Sequence, residues 1–207
     1  MAENSLLHFV EKLDAPVFTT GGLAAFSGKS ASTVTQGLKF LQRQGVVQNV
    51  SRGVWARGKG ASPYAAAALL LPRSRTYVSF VSALHLHGVI SQIPQEVTLA
   101  STAHTREIRT SLGSFSVRRV APYFFAGFGW YNGGGKFLVA EPEKALVDCL
   151  YLSAYGEKRY AHFPELDLDG FSFKKAYAWA RRIRGRAATH VLEKLKAIEA
   201  QYLREDK

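Results

Sequence analysis

The stretch SASTVTQGLKFLQRQGVVQNVSRGVWAR, residues 30–57, decides how this chain is read. Val34, Leu38 and Leu41 recur at i, i+4 and i+7, which puts three apolar side chains on one stripe of an α-helix. Ser30 stands ahead of the stripe as an N-cap, and Gly45 follows it as the glycine just past a helix end. A helix is therefore predicted over 30–44. VVQNV at 46–50 and VWA at 54–56 flank the turn SRG at 51–53, the pattern of a two-stranded hairpin. Upstream, Leu6, Phe9, Val10 and Leu13 fall at helical spacing and predict a helix over 5–13, capped by Asn4 or Ser5 and stopped by Pro16. A second short helix is expected over 20–26, capped by Thr19 or Thr20, with a turn at Ser27, Gly28 and Lys29. Helix, helix, turn, helix, hairpin is the order of a winged helix-turn-helix.

The face of the 30–44 helix opposite its apolar stripe carries Ser32, Gln36, Lys39 and Arg43. A helix that enters a major groove needs such side chains: Gln pairs with adenine, Arg or Lys with guanine or phosphate, Ser with either. Lys29, Ser30 and Thr33 lie at the helix N-terminus, where free N–H groups and the helix dipole favour a phosphate. Arg52 at the hairpin tip is placed to reach a phosphate or the minor groove, and Arg57 and Lys59 extend the charge beyond it. A solvated helix usually mixes signs, yet residues 15–60 hold six cations and no Asp or Glu. The expected partner is double-stranded DNA.

The whole chain fits this reading. Its 207 residues, 47% hydrophobic and 21% charged, describe a globular protein of one large domain or two small ones, and exclude disorder as its main state. With 27 basic against 16 acidic residues, the net charge of +11 favours an anionic partner. No apolar run is long enough for a membrane span. Glu3 and Glu11 stand where a secretory leader would carry a basic and then an apolar segment. One cysteine excludes a disulfide framework or a cysteine-based zinc site, and a reducing, cytoplasmic setting is expected.

Beyond a small polar linker at 58–63, helices are expected over 64–71, 79–88 and 141–154, and strands over 96–100, 106–110 and 114–120. A hairpin over 128–139 is expected to turn at NGGG, 132–135. Two tail helices are expected over 172–184 and 186–204. The expectation is thus an α+β protein: a winged helix-turn-helix domain at 1–60, and a larger mixed α/β domain at 61–207 that ends in a helical segment at 172–207. Lys174, Lys175, Arg181, Arg182, Arg184 and Arg186 make that tail a second candidate polyanion surface, or a solvated face.

Other signals fall short of a site. SGKS at 27–30 ends like a phosphate-binding loop, but Leu23 stands where the pattern needs glycine. His85 and His87, two apart on a helix, point to different faces, so no metal or cofactor is expected. Cys149 reads as a packed thiol, and Glu141 and Glu143 as acids favouring a helix N-terminus. No constellation reads as an enzyme.

Several segments together resemble the AbiEi-type antitoxins of bacterial type IV toxin–antitoxin operons. They are RGVWA at 52–56, YVSFVSALHLHG at 77–88, PQEVTLA at 94–100, LGSF at 112–115 and AEPEKALVD at 140–148. Each is modest alone; their order and spacing are fairly specific, and the resemblance covers roughly residues 5–155. It implies a repressor whose N-terminal winged helix binds repeats near its own promoter. It also implies a C-terminal domain that counteracts a nucleotidyltransferase-like toxin without a stable complex. The competing readings are a protein-docking antitoxin that neutralises its toxin directly, and an orphan regulator with no toxin.

Overall fold

Ser5 and Thr19 each turn a side-chain oxygen back onto a helix amide, of His8 at 3.2 Å and Gly22 at 2.9 Å. These caps start α1 (Leu6–Lys12) and α2 (Thr20–Ser27). The computed structural model describes residues 5–133, 136–157, 160, 163 and 165–205; Asn4, the alternative cap of α1, lies outside them. Gly28 ends α2 at φ +67°, a left-handed turn that a side chain would strain. The chain then enters α3 (Ala31–Arg43), whose Val34, Leu38 and Leu41 are buried as their spacing requires. Each such burial contributes about 1.5–3 kcal/mol. These three pack with Val10, Phe18, Leu23, Val47 and Trp55 in one small core.

The hairpin is present as β2 (Val47–Ser51) and β3 (Val54–Arg57), with a third strand, β1 (Val17–Thr19), that the sequence did not announce. β1 follows Pro16 and pairs antiparallel with β3 in the order β1-β3-β2. This small sheet serves two cores. Phe18, Val47 and Trp55 face the helices, whereas Val17, Val50, Val54 and Ala56 belong to the buried cluster of the rest of the chain. The alternation of the strands is what sends neighbouring side chains to opposite sides. Ser111 donates to the Asn49 carbonyl at 2.8 Å, and Lys136 pairs with Asp14, across the same seam.

The expected helix at 64–71 is not there. The chain makes a single 3-10 turn, Pro63–Ala66, followed by irregular turns. Pro72 forbids extension and disfavours the helical conformation of the residue before it; Ala66, Ala67 and Leu71 are buried instead as individual contacts. Strand β4 (Thr76–Val78), also unannounced, then opens a six-stranded sheet. Its other strands are β5 (Glu96–Ser101), β6 (Arg106–Thr110), β7 (Gly113–Arg119), β8 (Phe128–Trp130) and β9 (Leu138–Ala140), in the order β6-β7-β5-β4-β9-β8. β5 and β7 run parallel, as do β4 and β9. The expected hairpins are the antiparallel pairs β6–β7 and β8–β9; part of the NGGG turn, residues 134–135, lies outside the described residues.

Two helices, α4 (Phe80–Leu86) and α5 (Pro142–Ser153), pack on this sheet. The pairing register sets Tyr77, Thr98, Ala100 and Ser116 on one face, where Thr98 bonds α4 through Ser82 and Tyr77 bonds α5 through Asp148. The tail helices are α6 (Phe173–Ala180) and α7 (Arg186–Glu205). α6 ends four residues before the expected 184: Arg182 and Ile183 donate to the carbonyls three residues back, which tightens the chain into a turn, and Ile183 is buried there. The molecule is thus a mixed α+β protein with two sheets. Among the described residues no helix is long and apolar enough to cross a membrane.

Candidate nucleic-acid interface

On α3, Ser32, Gln36, Lys39 and Arg43 are all exposed, on the side away from Val34, Leu38 and Leu41. Gln36, Lys39 and Arg43 make no side-chain hydrogen bond or ion pair with the described residues, and neither does Arg52 at the β2–β3 turn. The helix N-terminus is built more tightly. The Ser30 hydroxyl accepts from the Thr33 amide at 3.2 Å, and lies 2.9 Å from the Ser32 hydroxyl and 2.8 Å from that of Thr33. All three hydroxyls stay exposed, so a phosphate would meet a preformed cluster there. Lys29 is half-buried, its ammonium 5.8 Å from the centre of the Phe9 ring.

Arg57 departs from expectation. Its Nη1 donates to the carbonyls of Glu11 at 3.0 Å and Leu13 at 3.2 Å, the free acceptors at the end of α1. A guanidinium near unsatisfied helix carbonyls is held by hydrogen bonds and by the dipole, so Arg57 ties α1 to β3. Glu11 is exposed beside this seam. Asp14 is held by Lys136, whose hydrogen bond and charge keep its carboxyl below the usual range. Two aromatic rings that the sequence reading did not single out also stand open: Phe40, flanking the polar face of α3, at 53% exposure, and Phe26 on α2 at 51%.

The second basic cluster divides in two. Lys174 and Lys175 lie exposed on α6. Arg181, Arg182 and Arg184 lie beyond the helix end, so they do not share an outer helix face with Lys174; with Arg186 they are exposed in and after the tight turn into α7. There Arg182 stacks over Trp179 at 4.8 Å, and Arg184 over Tyr123 at 4.7 Å.

Three of the four charged residues of the AEPEKALVD segment have the opposite environment, Glu141 alone being exposed. Glu143, Lys144 and Asp148 are all buried, in the first two turns of α5. Lys144 and Asp148, at i and i+4, form an ion pair with no solvent exposure on either side chain. The second carboxylate oxygen accepts from Ser79 at 2.7 Å and from Tyr77 at 3.1 Å, and Lys144 also donates to the Tyr77 oxygen at 3.1 Å. Ser79 thus serves Asp148 and does not cap α4. Burial pulls the Lys144 ammonium pKa down, with Asp148 acting against it; burial, and then Asp148, push the Tyr77 phenol up. The Phe124 ring lies 3.9 Å from the ammonium and Trp179 5.8 Å. Gly127, at φ +77°, lets Trp179 and the Lys144 stem approach, since a Cβ would stand 2.6 Å and 2.9 Å from them. Glu143 accepts from the Ser172 amide at 3.2 Å and so receives the start of α6. Tyr77, Ser79, Lys144 and Asp148 are buried, and with Glu143 the network joins β4, α4, α5 and the start of α6. Cys149 beside it is fully buried, and burial pushes its thiol pKa well up, so it stays a packed thiol. No protein-family model matches the sequence, and neither does any curated protein.

Proposed function

We propose that this chain is a sequence-specific double-stranded DNA-binding protein. Its first three helices and small sheet act as a winged helix-turn-helix at 1–60, with α3 as the recognition helix and the β2–β3 hairpin as the wing. The observation that carries this is the outer face of α3: Ser32, Gln36, Lys39 and Arg43 exposed together, in a segment that contains no carboxylate. A stack of donors and cations with no internal partner suits base edges and phosphates in a major groove. Arg52 supplies a sequence-independent phosphate contact, and Ser30, Ser32 and Thr33 position the helix N-terminus.

On the AbiEi resemblance, the protein is further proposed to repress its own operon and to act as the antitoxin to a nucleotidyltransferase-like toxin, without a stable complex. The exposed rings of Phe26 and Phe40 favour the competing reading, in which this unit docks a protein. A shift assay on the duplex upstream of its own reading frame, with the Gln36→Ala/Lys39→Ala pair beside the parent protein, tests the proposal. Loss of preference for that duplex over a scrambled one supports α3 as the reading helix. Unchanged preference removes it from that role. Stoichiometric co-purification with a neighbouring toxin would replace antitoxin action without a stable complex by direct docking.

A further inference from the structure

The surface at the far end of α5 combines three features that the duplex-binding reading does not use. Tyr123, in the 3-10 turn Pro122–Phe124, is 39% exposed, and the Arg184 guanidinium lies 4.7 Å over its ring. The Arg184 amide also donates to the Tyr123 oxygen at 3.4 Å, so backbone and side chain hold the same ring. Tyr155, just past the end of α5, is 63% exposed and stands edge-on to Tyr151 with centroids 5.0 Å apart. Tyr151 also meets the Phe124 ring, next in sequence to Tyr123, with centroids 5.2 Å apart, so the two exposed tyrosines are joined through packed rings. The Ser153 hydroxyl lies 3.2 Å from His190, which sets the first turns of α7 against the end of α5.

Within 170–192 the acid–base balance has one sign. Arg181, Arg182, Arg184 and Arg186 are exposed within six residues, and no Asp or Glu occurs from 170 to 192. Asp148 on α5 is buried and paired with Lys144. Glu157, two residues beyond Tyr155, is half-buried.

We propose that this arginine–tyrosine surface binds the unpaired nucleotides of a nucleic-acid strand. A duplex presents phosphates and groove edges, and keeps its base faces inside the stack; exposed rings gain nothing from it. An unpaired base offers a π-face that stacks on Tyr155, on Tyr123 or on the guanidinium plane already laid over Tyr123, while the other arginines take the phosphates. The guanidinium of Arg184 is held before any ligand arrives, so less of its rotamer freedom is lost on binding. The inference is independent of the role given to α3.

The test is fluorescence anisotropy with the full chain and three labelled probes: a short oligo(U), the matching oligo(dT), and a short mixed-sequence duplex. Binding to at least one single strand is expected, weakened about tenfold by Tyr155→Ser and by Arg184→Gln. Tyr155→Phe, which keeps the ring, is expected to bind as the parent does. Both residues are exposed, and unchanged thermal midpoints verify that the variants are folded. Gln36→Ala/Lys39→Ala is expected to leave single-strand affinity unchanged. Preference for oligo(U) identifies RNA as the source of the strand; equal affinity for both identifies any unpaired segment. The proposal is overturned if neither single strand binds, if Tyr155→Ser and Arg184→Gln both leave affinity unchanged, or if they weaken duplex binding to the same extent.

Discussion

Lys39 and Lys144 are the same residue type in opposite circumstances. Lys39 stands exposed on α3 with no partner among the described residues. Lys144 is fully buried on α5, ion-paired with Asp148 and enclosed by Tyr77, Phe124 and Trp179. A charge on a surface keeps its hydration and needs no partner, so an anion-free row of such charges is free to meet an external anion. A charge in a core must be neutralised in place, because an unpaired buried ion costs several kcal/mol. One region leaves its charges open to solvent, and is proposed to meet a polyanion there; the other uses charge to join its own elements.

The largest effects are expected at the buried lysine. Lys144→Met leaves Asp148 uncompensated and is expected to cost about 3–5 kcal/mol of stability, read by denaturant unfolding. Lys144→Met/Asp148→Leu removes both charges and is expected to recover most of that loss. A single substitution as mild as a surface change would show that the pair does not hold these elements together.

At the exposed end the expected effects reverse: affinity falls while stability stays. Gln36→Ala/Lys39→Ala is expected to weaken specific duplex binding by about 1–3 kcal/mol per lost base contact, with unfolding free energy within about 0.5 kcal/mol of the parent. Arg52→Ala is expected to weaken binding to every duplex alike and to lower the slope of log affinity against log salt by about 1. Titrating affinity against salt for an operator and a scrambled duplex separates these two variants.

A smaller effect sharpens the boundary between surface and core. Tyr177 on α6 donates to Glu199 on α7 at 2.6 Å, and burial, with that carboxylate, raises its pKa to about 12. The folded state therefore keeps the phenol proton at a pH where the unfolded chain, titrating near the ordinary tyrosine value, releases it. The stabilisation is fully present below about pH 10 and is lost as pH rises toward 12. Tyr177→Phe is expected to cost about 1 kcal/mol at neutral pH, and to flatten the alkaline fall of the melting temperature.

What the sequence disclosed divides along physical lines. The stripe Val34, Leu38, Leu41, the caps at Ser5, Thr19 and Ser30, and the β6–β7 pairing follow local rules, and all are in the structure. β1 and β4 are three-residue strands whose partners, β3, β5 and β9, lie far along the chain, so no local periodicity announces them. The stretch 64–71 has helix-forming composition, but Pro72 closes it, and Ala66, Ala67 and Leu71 are buried one by one. Arg57 looks like one more surface cation in sequence; only the fold brings it to the end of α1. The i, i+4 spacing of Lys144 and Asp148 was visible, yet charged residues ordinarily mark a surface, and nothing local says that this pair is enclosed. The arginine–tyrosine surface was half legible: its cations were plain, but Tyr123 lies 61 positions before Arg184 and meets it only in three dimensions.

The polar face of α3 is proposed to read duplex DNA. The most direct measurement of this is the affinity of the purified full chain for the duplex upstream of its own reading frame, against a scrambled duplex, at low and at near-physiological salt. Binding to both duplexes is expected at low salt, with a preference for the upstream sequence that persists as salt weakens both. Failure to bind either duplex at low salt, or binding without preference at every salt concentration, would contradict that proposal.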